Sequence, residues 1–121
     1  LNWKKNVSSI GTPIIDRNYI LIVSTNGYFI NFDKNSGNII WSTDIFQILD
    51  KKNFTTRVTG YVLGSDKMIA TTSNGYLIES SGTTGKVISS KKVGNSINAP
   101  PIVSGGSLYI LTDNSRILGF N

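Results

Sequence analysis

Short runs rich in apolar and β-branched residues recur along this chain, and each is cut off by a polar or glycine-containing turn. Tyr19-Ile20-Leu21-Ile22-Val23, Tyr28-Phe29-Ile30-Asn31-Phe32, Met68-Ile69-Ala70-Thr71-Thr72, Tyr76-Leu77-Ile78 and Leu108-Tyr109-Ile110-Leu111 are the clearest. Runs of this length and composition, bounded by Asn, Asp, Ser and Gly, predict β-strands. The runs also repeat in a fixed order. Pro13-Ile14-Ile15, Tyr61-Val62-Leu63 and Pro101-Ile102-Val103 each open a unit, a longer run follows, and then comes a turn at Asn26-Gly27, Asn74-Gly75 or Asp113-Asn114. The turn residues Asn26, Asn74 and Asn114 stand 48 and 40 residues apart, and Trp3 and Trp41 stand 38 apart. A period of about 40 residues filled with short strands is the period of a propeller blade.

Each unit reads as four strands. Asn-Gly between two runs predicts a tight two-residue hairpin, because both residues take positive φ at low cost. A second turn follows at Asp33-Lys34-Asn35-Ser36-Gly37 and again at Ser81-Gly82-Thr83-Thr84-Gly85, with the outermost strand behind it. An immunoglobulin-like sandwich accounts for the strands but not for the repeated order of the two turns. The predicted fold is therefore all-β, a fragment of a β-propeller with four-stranded antiparallel blades. It comprises a leading strand 1–7, a blade 12–43, an insertion 44–56, a blade 57–93 and an incomplete blade 97–121. Within the insertion, Asp44 and Gln47 have capping-box spacing and predict one or two helical turns. Lys51 and Lys52 then fall near the end where a helix dipole favours cations.

Asp33, Ser36, Gly37 and Trp41 resemble the tail of the quinoprotein (PQQ-like) propeller repeat, Ala-x-Asp-x-x-Thr-Gly-x-x-x-Trp, with Asn31 in place of Ala and Ser36 in place of Thr. Thr84 and Gly85 match in the second unit, whereas Glu79, Ser81 and Ser89 depart from the pattern. From Gly75 to the end, the Asn-Gly-Tyr hairpin, Thr84-Gly85-Lys86, Lys91-Lys92-Val93 and Ala99-Pro100-Pro101 resemble the BamB family of outer-membrane assembly lipoproteins. The resemblance implies a ring of several blades in which Trp3 and Trp41 dock one blade on the next. It also implies protein-binding or scaffold work in the bacterial envelope without catalysis. The expected location is the periplasm beside the outer membrane, with membrane attachment through an N-terminal lipid anchor. The alternative is a fragment of a PQQ-dependent dehydrogenase propeller.

Composition narrows the chemistry. The chain of 121 residues has no Cys and no His, which removes disulfides, thiolate catalysis and the commonest general base and metal ligand. The acids Asp16, Asp33, Asp44, Asp50, Asp66, Glu79 and Asp113 are spread along the chain, mostly at turns, where short acids are the usual turn formers. They give no reason to expect the 6–8 oxygen ligands of calcium at one point. Gly82, Gly85, Gly105 and Gly106 lie in turns with no helix start behind them, so no phosphate loop is expected. Expected cofactors and metals are none, and catalytic residues none. The net charge of +5 comes from scattered Lys and Arg, and no nucleic-acid partner is expected.

The expected partners are proteins. Ile45, Phe46, Ile48 and Leu49 share one side of the insertion and are the candidate partner-binding residues, since apolar and aromatic side chains on a protruding loop can anchor a partner. The same four can instead cover the side of their own blade. A second expectation is self-association: Phe120 closes a third strand with no fourth after it, and an unpaired strand edge invites another strand. Leu1 to Val7 is the natural complement, within one chain or between copies. The recurring tyrosines Tyr19, Tyr28, Tyr61, Tyr76 and Tyr109 read as packing residues.

Overall fold

The computed structural model describes Lys4 and residues 13–47, 56–64, 66–113 and 116–120. The leading strand (Lys4 apart) with Trp3, and Ile48, Leu49, Asp50, Lys51 and Lys52, lie outside the described residues. The described residues form eleven strands and no helix. β1 (Ile14–Asp16), β2 (Tyr19–Val23), β3 (Tyr28–Asp33) and β4 (Ile39–Asp44) make one antiparallel sheet in sequence order, blade I. β5 (Val58–Gly64), β6 (Lys67–Thr72), β7 (Tyr76–Ser81) and β8 (Val87–Lys92) repeat it as blade II. β9 (Ile102–Ser104), β10 (Ser107–Leu111) and β11 (Ile117–Phe120) form the three-stranded blade III. This is the all-β propeller fragment that the strand period predicts.

Alternation along each strand gives every blade two apolar faces, and the faces of neighbouring blades meet. Leu21, Val23 and Phe29 of blade I pack with Met68, Ala70 and Ile78 of blade II in one buried cluster, joined by Ile45 and Val58. The opposite face of blade II brings Val62, Ile69 and Leu77 against Leu108 and Ile110 of blade III and Ile97 of the segment before it. Burying a large aliphatic side chain is worth about 1.5–3 kcal/mol, so the blades are held chiefly by each other. On blade III, Ile102, Tyr109, Leu111 and Ile117 share the remaining face and are exposed.

The hairpins differ from the two-residue turns that Asn-Gly predicts. β2 ends and β3 begins around three loop residues, Thr25-Asn26-Gly27, and β6 and β7 around Ser73-Asn74-Gly75. Only the glycines take positive φ, +88° at Gly27 and +87° at Gly75. That is the three-residue loop with a left-handed glycine, not the two-residue turn that needs positive φ twice. The reason lies in the residue before the loop. The Ser24 hydroxyl accepts the Tyr28 amide (3.1 Å) and donates to Asn26 Oδ1, while the Thr72 hydroxyl accepts the Tyr76 amide (3.0 Å) and donates to Asn74 Oδ1. Asn is thereby used for its side-chain oxygen rather than for left-handed backbone.

The helix expected from Asp44 does not begin there. Asp44 is the last residue of β4, paired with Tyr28, and residues 45–47 form a turn. The Asp44 carboxylate accepts the Phe46 amide at 2.9 Å, and its carbonyl accepts the Gln47 amide at 3.3 Å. A short acid that bonds the backbone two residues on favours such a turn over a helix interior.

Candidate functional site at the blade junctions

The second turns of blades I and II are built the same way from different residues. In blade I the Asp33 carboxylate accepts the amides of Asn35 (2.8 Å) and Ser36 (3.0 Å), and the Gly37 amide donates to the Asp33 carbonyl (2.8 Å). In blade II the Ser81 hydroxyl accepts the amides of Thr83 and Thr84, both at 3.2 Å, and the Gly85 amide donates to the Ser81 carbonyl (2.8 Å). Ser81 departs from the repeat pattern in name but accepts the same two bonds. The two donated N–H groups hold the Asp33 carboxyl below the usual carboxylate range.

Trp41 joins blade I to that turn in blade II. Its indole N–H donates to the Thr83 carbonyl at 2.9 Å. Its ring stands edge-on to Phe29, centroids 4.8 Å apart and planes at 76°. Gly85 lies beneath it with φ +75°, and a Cβ there would sit 2.5 Å from two ring carbons. The residue that turns the blade is thus also the residue that leaves room for the neighbouring indole. The sequence flags Gly85 as a turn former and gives no sign of the second task, because a junction partner leaves no mark at fixed spacing. The same holds for Gly60, where a Cβ would lie 2.3 Å from Pro100 Cα. That contact seats blade II against the Pro100-Pro101 entry to blade III.

The chain crosses between blades over the first hairpins. The Ile45 amide donates to the Gly27 carbonyl and the Val93 amide to the Gly75 carbonyl, both at 2.9 Å. Ile45 is fully buried in the cluster shared by blades I and II, so its side chain has no surface to offer a partner. Phe46 is half-buried, and its ring lies on Gly27, where a Cβ would meet it at 2.5 Å. Gly94 takes the corresponding place at Gly75. Ile48 and Leu49, the other two candidate contacts, lie outside the described residues, as does Trp3.

Sequence distance hides one grouping of charges. Asp16 and Asp66, 50 residues apart in the chain, line one cavity of about 210 Å³ beside Trp41, together with Arg17 and Asn31. Asn18 and Asp66 hold corresponding places in the two turns: the Asn18 carbonyl accepts the Lys34 amide and the Asp66 carbonyl the Gly82 amide, both at 2.7 Å. Asn31 is buried, and its Oδ1 has no partner among the described residues. Among those residues, no three acidic side chains come together as a metal site, and no helix is long and apolar enough to cross a membrane.

Residues 1–43 match the family of the outer membrane protein assembly factor BamB. The repeats are PQQ-like, and the chain is similar to BamB. BamB from Moraxella catarrhalis superposes with a TM-score of 0.70 at 19% identity, over 98% of this chain and 36% of that one. The computationally designed protein Ika8 matches with a TM-score of 0.67 at 8% identity, over 89% of this chain and 31% of its own. Quinohemoprotein alcohol dehydrogenase from Comamonas testosteroni matches with a TM-score of 0.64 at 22% identity, over 85% of this chain and 17% of the enzyme. The PQQ-like chain thus spans about a third of the Moraxella BamB. At these identities the likeness establishes the propeller fold, which hosts several functions. No curated protein matches the chain in sequence.

Proposed function

We propose that this chain is part of a non-catalytic PQQ-like propeller that binds and holds protein partners in the bacterial envelope, working as BamB-type proteins do in outer-membrane protein assembly. The observation that carries the reading is the match of residues 1–43 to the BamB family, supported by a superposition on BamB that takes in nearly the whole chain. The stacked blades suit the task, because loops on a rigid scaffold present contacts at little entropic cost. The proposed location is periplasmic, at the outer membrane, with attachment through a lipid-bearing Cys in an N-terminal extension. The contact is carried by Phe46, with Ile48 and Leu49 beside it in sequence, while Ile45 holds the core underneath. Trp41, and Trp3 with it, dock blades rather than partners.

The test is co-purification of outer-membrane assembly proteins with the intact protein and with Phe46→Ala/Leu49→Ala. Loss of the partners with an unchanged melting temperature supports the reading. Retained partners with a large drop in melting temperature would show that these side chains only cover their own blade. The exposed face of Ile102, Tyr109, Leu111 and Ile117 occupies the positions by which blades I and II each meet the next blade, so a further blade or a second copy covers it. Light scattering separates the two.

A second reading, part of a PQQ-dependent dehydrogenase, is favoured by the likeness to the Comamonas enzyme. Dye-linked alcohol oxidation by the intact protein, loaded with PQQ and calcium, would replace the scaffold reading with this one.

A further inference from the structure

Asn31 and Glu79 hold one register position in successive blades, and their own chain satisfies only the second. Asn31 pairs with Leu21 and Trp41, and Glu79 with Ile69 and Ser89. Two residues before Leu21 stands Tyr19, and two before Ile69 stands Lys67. In blade II, Lys67 Nζ lies 2.8 Å from Glu79 Oε1, and Ser89 Oγ donates to Glu79 Oε2 at 3.4 Å. In blade I, Asn31 is 4% exposed and its Oδ1 has no partner among the described residues. A buried acceptor in that state is costly. Its amide borders the cavity of about 210 Å³ that also receives Asp16 and Asp66. Arg17 lines the same cavity but is exposed, and neither acid is ion-paired among the described residues. Two carboxylates against one guanidinium leave the walls net negative. Every wall belongs to blades I and II, both of them four-stranded.

We infer that this cavity takes a primary ammonium group at the end of an alkyl chain, supplied by a lysine of a protein partner or by a free alkylamine. Blade II carries its own ammonium at this register position, on Lys67. Blade I has Tyr19 in that place and receives the group from outside. Asp16 and Asp66 hold the charge. A small rotation of the Asn31 amide gives its oxygen one of the three N–H donors. The rings of Tyr19 and Trp41 and the Leu63 side chain wall the cavity. Aromatic faces attract a cation, and all three side chains suit the alkyl stem. The ammonium chemistry is read from the junction alone. Only the lysine source rests on the scaffold reading above.

The test uses the intact protein and follows the Trp41 indole N–H and Leu63 methyl resonances. N-acetyl-lysine methylamide shifts both and binds about tenfold more tightly than N-acetyl-norleucine methylamide, which lacks the charge. Asp16→Asn and Asp66→Asn each weaken the lysine compound about threefold. The melting temperature stays put, since Asn suits both turns, including the φ of 62° at Asp66. Arg17→Gln removes the competing cation and tightens binding about threefold. Equal response to the norleucine compound, or indifference to both Asp variants, would overturn the site. An N-acetylated peptide with one lysine that binds more tightly than cadaverine supports the protein source. Cadaverine as the tighter ligand would overturn that source, keep the ammonium site and leave the scaffold reading to its own test.

Discussion

Trp41→Ala takes away three contacts together: the hydrogen bond to the Thr83 carbonyl, the edge-on pairing with Phe29 and the cover over Gly85. Truncating a buried aromatic costs about 3–5 kcal/mol. Trp41 is only half-buried, which brings the expected loss to about 2–3 kcal/mol. Trp41→Phe keeps a ring against Phe29 and gives up the N–H bond, for about 0.5–1.5 kcal/mol. Gly85→Ala carries two separable penalties: the left-handed backbone, about 1–2 kcal/mol, and the clash of its Cβ with the indole, about 1–3 kcal/mol. Only the clash with the indole disappears when the indole is gone; the Thr43 hydroxyl, 2.7 Å from the same Cβ, remains in the way. The double variant Trp41→Ala/Gly85→Ala should therefore be more stable than the two separate losses imply, by about 1–3 kcal/mol. Urea unfolding followed by circular dichroism, with the slope unchanged across the set, reads all four values. Additive losses in the double variant, or a Phe variant as damaged as the Ala variant, would refute the account of this junction.

Three further outcomes are expected. Gly75→Ala should be among the most damaging single changes, because its Cβ would sit 2.0 Å from the Gly94 carbonyl oxygen at φ +87°. Gly105→Ala, with φ +57° but open space around it, should cost only the backbone penalty of about 1–2 kcal/mol. Melting temperatures of the two variants check the order. Gly60→Ala has no positive φ to blame, so its loss is the clash with Pro100, and it should raise hydrogen exchange at Ile97 and Ile110 more than at Val23. Asp33 has its carboxyl pKa lowered by the Ser36 and Asn35 amides. Its stabilisation is complete above the unfolded value of about pH 4 and is lost as pH falls through the lower folded value. Asp33→Ser should keep the turn, as Ser81 does, and should lack this acid-dependent loss in a series of unfolding curves from neutral pH down.

The order of the strands in the three described blades was legible because alternation, glycine-bearing turns and a 40-residue period are local signals. Trp41 was legible through its fixed distance from Gly37. The hairpin type was not, since Asn26-Gly27 fits two loop lengths, and the buried hydroxyl of Ser24 decides between them from outside the dipeptide. Ile45 was left with two readings for a related reason. An apolar residue after a strand reads equally as a surface anchor or a core plug, and the hydrogen bond from the Ile45 amide to the Gly27 carbonyl that turns it inward depends on a chain reversal 18 residues earlier. The grouping of Asp16 with Asp66, and the fit of Gly85 under Trp41, arise only when two blades stack, so no pattern within one blade could reveal them.

The bulges at Asn31/Phe32 and Glu79/Ser80 leave Ile40 and Ile88 as the extra residues of β4 and β8, both turned to solvent. A straight outer strand bearing such side chains is a template on which any extended peptide can add itself, rung by rung. The kink breaks that ladder after a few rungs and at the same height in both blades. The outer edges of the blades therefore resist the indiscriminate zippering that ends in fibres.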